Sequence, residues 1–413
     1  MKQIGKPQFG GRKALAVILL VATAALSGCS LGNTPQDPST SKSFQTREEN
    51  PGMNTNRTAE LTSARQDTQN DEFRDRGYVV VTDTVKTGKY NDCTKALQEL
   101  IDKNPKRTIY FPDGLYVISE PIRTSADPEK AVSLLLSDFA IIRADSARWS
   151  SDEAMIRLGA IDSNKNSTVN YSLSGGVIDG SGVAKAISID GGRETKVQNV
   201  SVKSAQIGLH IKKGVNNGSS DADIFNVNIS GNGKPDSVGM LIEGYDNTIT
   251  NSRIVGVQVG VHLKSGANML RNIHPLYYAA TAELYSRNYP TSYAFWDENG
   301  TNWYDYCYSD HFRVAFCLGK NKNGEDVHSF FRNCFAFWYD DGGLGVGYTA
   351  TAFLCEGKFE SSVSDFKAAF RSDRPACMLQ VGAEGGKGRM ESLWILNSEK
   401  LIPADCHKTY LKD

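Results

Sequence analysis

The sequence predicts an all-β chain wound as a parallel β-helix, and three observations carry that prediction. Short stretches of strict two-residue alternation recur as AISIDGG at Ala186, GLHIKKG at Gly208, GMLIEG at Gly239 and GVHLKSG at Gly260. Downstream of each lies a second short strand bearing an asparagine: Asn199, Asn226, Asn251 and Asn272, and much later Asn333, with early spacings of 27, 25 and 21 residues. The repeat is made only of short strands and tight turns, which is how a solenoid is written, each coil burying its face against the next.

Within each phrase the alternation selects one inward set: Ile187 and Ile189, Leu209 and Ile211, Met240 and Ile242, Val261 and Leu263. Each such side chain contributes about 1.5–3 kcal/mol on burial. Stacked coils place equivalent residues about 4.8 Å apart, so recurrent asparagines are expected to bond from rung to rung. The first coil needs a cap. NDCTKALQELIDKNP supplies a helix: Asp92 is placed to cap its start, Cys93, Leu97, Leu100 and Ile101 share a face, and Asn104-Pro105 ends it. TIYFPDGLYVIS then reads as strand, turn and strand.

The N-terminus carries Lys2, Lys6, Arg12 and Lys13, then the apolar run ALAVILLVATAAL and the ending LSGC. The layout is that of an export signal, too short to span a bilayer comfortably, and it resembles the bacterial lipoprotein signal with Cys29 as the lipidated residue. Residues 29–74 are polar and nearly free of large apolar side chains, and are expected to form a disordered tether. The expected organisation is therefore a signal over 1–28, a tether over 29–74 and one β-helix domain over 75–413, held at the cell envelope by lipid. The net charge of −1 gives no basis for a nucleic-acid partner. Seven further cysteines without a CxxC spacing suggest neither a disulfide framework nor a zinc site, and no cofactor is expected; buried free thiols are the simplest reading.

The order NDCTKALQELID, IYFPDGLYVIS and GGVIDGSG resembles the N-terminal half of the pectate-lyase-like superfamily, and especially the polygalacturonase family of glycoside hydrolases. That resemblance implies a right-handed parallel β-helix and a carbohydrate ligand. It does not imply a reaction. Where the family carries its Gly-Asp-Asp step before the Lys-Ser-Gly turn, this chain has Gln258 and Val259, which can neither protonate a glycosidic oxygen nor activate water.

Two outward columns accompany the phrases: Ser188, His210, Leu241, His262, and Asp190, Lys212, Glu243, Lys264. They read either as a solvated face of alternating charge or as a polysaccharide groove in which Lys212 or Lys264 acts on a uronate. After His274 the chain becomes rich in aromatics, expected to divide between core and sugar platform, with Trp303, Tyr306, Trp338 and Tyr339 as candidate platform residues. Asp310 lies eight residues after Asn302, and Asp340 and Asp341 lie seven and eight after Asn333. That shared offset nominates Asp310, His311, Asp340 and Asp341 as a catalytic cluster; the competing reading is that Asp-Gly and Ser-Asp steps close turns. The expected function is binding, with cleavage by hydrolysis or elimination, of a polysaccharide; the rival is a non-catalytic glycan-binding or adhesin-like surface protein.

Overall fold

The computed structural model describes residues 66–160, 171–215, 219–345 and 347–397. The chain divides into two units, Gln66–Tyr339 with Leu344–Asp413, and Met1–Arg65 with Asp340–Gly343. The signal, Cys29 and most of the expected tether lie outside the described residues. Residues 66–75 are helical, although polar composition puts 66–74 in the tether. Phe73 is the reason: its ring stacks on Tyr110 with centroids 3.8 Å apart and on Tyr78 at 5.5 Å, so one aromatic in a polar stretch anchors it to the first coil.

The larger unit is a parallel β-helix. Ten strands, from Ile122–Arg123 to Ala376–Val381, stack in one parallel sheet in coil order, and nineteen others form a wider parallel sheet to which most coils contribute two strands. The helix Thr94–Lys103 caps the first coil with Leu97, Leu100 and Ile101 buried. Asp92 caps it from one position further out than a side-chain N-cap, its Oδ1 accepting from the Thr94 amide at 3.0 Å and the Thr94 hydroxyl at 2.6 Å.

All eight inward residues of the four phrases are fully buried. Registers run without slip through Ile187, Leu209, Met240, Val261, Phe295 and Phe316, so apolar columns thread the core. The asparagines sit at the corner between the paired strands of the wide sheet, each with φ of +53° to +56°. Asparagine tolerates that left-handed backbone, and its amide reaches the neighbouring rung. Asn226 donates to Asn199 and Asn272 to Asn251, both at 2.9 Å.

A second, buried asparagine ladder was not foreseen. Asn247 donates to Asn268 at 2.8 Å, Asn268 to Asn302 at 3.1 Å, and Asn302 to the buried Asp297 at 3.1 Å. The six cysteines among the described residues are buried. Burial pushes the Cys355 thiol up to about 12, which makes it a packing residue rather than a nucleophile.

Candidate functional site

The coil that carries Gln258 and Val259 in place of paired acids lies in the ten-stranded sheet, on the strand Val259–Leu263. Gln258, at its entry, is a structural bridge: its carbonyl accepts from the Asp236 amide at 2.6 Å and its amide donates to the Thr291 hydroxyl at 2.5 Å. It joins three coils and presents no proton chemistry.

The outward columns align as read, Ser188 beside His210, His210 beside Leu241 and Leu241 beside His262, and the next rung brings in Trp296. Two histidine–glutamate pairs repeat along this face with one geometry. His210 Nε2 lies 2.9 Å from Glu243, and His262 Nε2 lies 2.9 Å from Glu298. The His262 ring also lies flat against Trp296, centroids 4.3 Å apart and planes within 3°. Hydrogen bonding from the histidine holds each glutamate below the ordinary carboxylate range, burial opposing and nearby Lys264 reinforcing. Both therefore stand as carboxylates at neutral pH.

The two candidate lysines diverge. Lys212 is half-buried in an ion network, 2.7 Å from Glu153 and 3.3 Å from the buried Asp190, which Arg157 also binds at 2.7 Å. It is committed to the scaffold. Lys264 is exposed beside Glu243 and Glu298 and lines a groove of about 480 Å³ with Lys213, Tyr245 and Lys320.

The proposed acid cluster does not hold its shared offset. In the coil of Asp310 the left-handed corner residue is Tyr306, not Asn302, which belongs to the buried ladder. Asp310 therefore aligns with Leu276 and Phe337, four residues past the corner, and not with Gln258. Its Oδ2 lies 3.6 Å from His274 Nε2 on the outward side of the wide sheet. His311 points the other way: it is fully buried, 3.1 Å from the Tyr285 hydroxyl and stacked on Tyr339 at 3.9 Å, so it cannot meet a polymer. In the smaller unit, Asp340 accepts from the Gly342 amide at 2.9 Å and Asp341 from the Gly343 amide at 3.1 Å. These are the turn closures that Asp-Gly steps commonly make.

The aromatics divide as expected between core and surface, but not residue by residue. Trp338 is 2% exposed, donates its indole N–H to the Phe312 carbonyl at 2.6 Å and stacks on Phe370, so it is core. Tyr339 is half-buried, its hydroxyl donating to the Tyr277 carbonyl at 3.2 Å. Trp303 is 41% exposed and Tyr306 54%. Trp303 is one rung of an outward ladder on the wide sheet, registered between Met269 and Phe330 and stacked on Phe330 at 5.9 Å. Stacking along the ladder covers ring faces, and a sugar needs a free face.

No protein-family model and no curated protein sequence matches the chain. Solved structures do match. An endo-xylogalacturonan hydrolase from Aspergillus tubingensis superposes with a TM-score of 0.54 at 16% identity, covering 78% of this chain and 97% of that one. The fold the two share is a parallel β-helix. An alginate lyase from Paenibacillus sp. (TM-score 0.46, 13% identity, 78% and 97% covered) and a surface adhesin of Streptococcus pneumoniae (0.42, 12%, 77% and 91%) also match. At these identities the likeness establishes the fold alone.

Proposed function

We propose that this chain is a lipid-anchored protein of the bacterial cell envelope that binds a polysaccharide along the outward face of its ten-stranded sheet. The observation that carries the reading is the groove beside Lys264, where exposed lysines, a tyrosine and two histidine-held carboxylates converge on one side of consecutive coils. Neighbours of the same fold include proteins named for xylogalacturonan and alginate, which agrees with a glycan as partner. The anchor rests on the apolar run ending at LSGC.

Cleavage is a second reading, and one arrangement favours elimination over hydrolysis. Two-carboxylate hydrolysis needs one acid that is protonated at working pH, whereas both glutamates here are held in the ionised form. Elimination at a uronate needs a base and a nearby cation rather than a protonated acid, and the ionised Glu243 and Glu298 with Lys264 between them in the groove supply both kinds of group. The test is to incubate the purified protein with plant, algal and host glycans, recording binding, reducing ends and the absorbance of unsaturated uronates. Binding with unsaturated product supports elimination, binding without product leaves a glycan-binding protein, and no binding to any glycan contradicts the proposal. For the anchor, Cys29→Ala is expected to abolish lipid labelling and release the protein from membranes; unchanged labelling would refute it.

A further inference from the structure

Two large apolar side chains stand in water at one corner of the first coils. Tyr90 is 89% exposed and Phe139 75%, the highest values for large apolar side chains among the described residues. Both sit by the strand Gly114–Ile118. The Gly88 amide donates to the Leu115 carbonyl at 2.9 Å and Asp92 bridges Val117, so the register carried back two residues sets Tyr90 beside Leu115. Phe139 precedes Ala140, the partner of Gly114, and so stands beside Asp113 at the turn.

The outward column that leads from this corner is apolar for three rungs, through the half-buried Leu115, Ile141 and Val177. It then turns polar, with Ser201, Asn228 and Arg253. Single apolar residues on a surface need no explanation, but two exposed rings at the head of an apolar column form a patch. Charge does not mark it: the exposed Lys86 and Lys89 on one turn are offset by the exposed Asp113 and Asp138 on its neighbours. The Lys89 ammonium lies 5.6 Å from the centre of the Tyr90 ring, so an apolar body and a polar head point out together.

The path of the chain says what covers this patch. Gln66 donates its side-chain amide to the Asp113 carbonyl at 2.9 Å, at the same turn beside which Phe139 stands. The covalent route back to Cys29 therefore leaves the domain at this corner. Resting on the lipid-anchor reading above, we propose that the corner is a second membrane contact, in which Tyr90 and Phe139 enter the headgroup boundary of the bilayer that holds the lipid. Aromatic rings flanked by polar groups favour that boundary. Two rings make a weak, reversible contact, so loss of the lipid still releases the protein from washed membranes. The groove beside Lys264 lies on the other sheet and on later rungs, which leaves it open to a polymer.

The experiment uses the chain from Ser30 onward, which keeps every described residue and lacks both signal and lipid. It is floated with vesicles of phosphatidylcholine alone and of phosphatidylcholine mixed with phosphatidylglycerol, at low and high salt. The expected result is similar flotation with both, little changed by salt, because the contact is apolar. Tyr90→Ser combined with Phe139→Ser should lower the partitioning about tenfold while leaving the melting temperature unchanged, since neither ring is packed. No flotation with either vesicle, or a double variant that floats like the parent, would overturn the proposal. Flotation confined to phosphatidylglycerol and abolished by salt would overturn it in favour of a charge contact. Self-association that the double variant abolishes, without flotation, would give the patch to a second copy of the chain. Cys29 found without lipid, with flotation as expected, would remove the anchor and keep the contact.

Discussion

The two broad faces of the β-helix obey one rule inward and different rules outward. Beneath both, buried side chains, most of them aliphatic or aromatic, stand in register with the next coil. Outward, the wide sheet carries a stacked column in which His274 meets Tyr308 at 4.1 Å, Tyr308 meets Phe335 at 4.8 Å, and the Lys367 ammonium lies over Phe335 and Trp394. The ten-stranded sheet carries fixed carboxylates, histidines and exposed lysines. Groups that satisfy one another across rungs stabilise the coil and leave little for a ligand. Groups held in place but facing outward are left to recognise one.

That contrast can be broken at several points. The largest effect is expected at Trp338, whose removal empties a core site and orphans the Phe312 carbonyl. Trp338→Ala should cost about 3–5 kcal/mol in denaturant unfolding, and a loss below about 1 kcal/mol would mean that the ring is not core. Asp297→Ala comes next, because this buried carboxylate accepts from Asn302, Tyr304 and Ser329 at 3.1, 3.0 and 2.7 Å. A cost of about 3 kcal/mol is expected as those donors lose their acceptor.

Trp303→Ala should cost about 1 kcal/mol, the worth of one stacked pair, with glycan affinity unchanged. A fall in affinity would return the wide sheet to the binding surface. The smallest effect concerns acid stability. Glu298 is held below the ordinary range, so its pair with His262 stabilises fully above that range and the contribution fades as pH falls through the lowered value. Glu298→Gln should be less stable than the parent at neutral pH by under about 1 kcal/mol, since the group is half-exposed, with the two melting curves converging as pH falls through the lowered Glu298 value. A gap that stays constant with pH would show that the pair contributes nothing through charge.

Much of the scaffold was legible because solenoid physics repeats itself. The period-two phrases named the inward residues, and the outward columns of Ser188, His210, Leu241 and His262 followed from the same count. What misled was reading the corner by residue type. Tyr306 occupies a left-handed position that asparagine fills in the neighbouring coils, so an offset counted from Asn302 puts Asp310 in the wrong register. Side-chain destinations were harder still. Trp338 and Trp303 have similar sequence surroundings, but one continues past the strand Phe335–Phe337 into the core while the other stands on the outward side of its strand. The histidine–glutamate pairs were half visible: Glu243 stood in the columns, whereas Glu298 lies beyond the phrases that defined them and needed the register to join His262.

The most direct test of the division between the two faces is a matched pair of multiple variants measured against one acidic glycan. One replaces Lys213, Lys264 and Lys320 by glutamate; the other replaces Trp303 and Phe330 by alanine. The account predicts that the lysine variant loses binding by about a hundredfold or more while keeping its melting temperature, and that the aromatic variant keeps its affinity while melting lower. The reverse outcome, affinity lost with the aromatics and retained without the lysines, would place recognition on the wide sheet and contradict it.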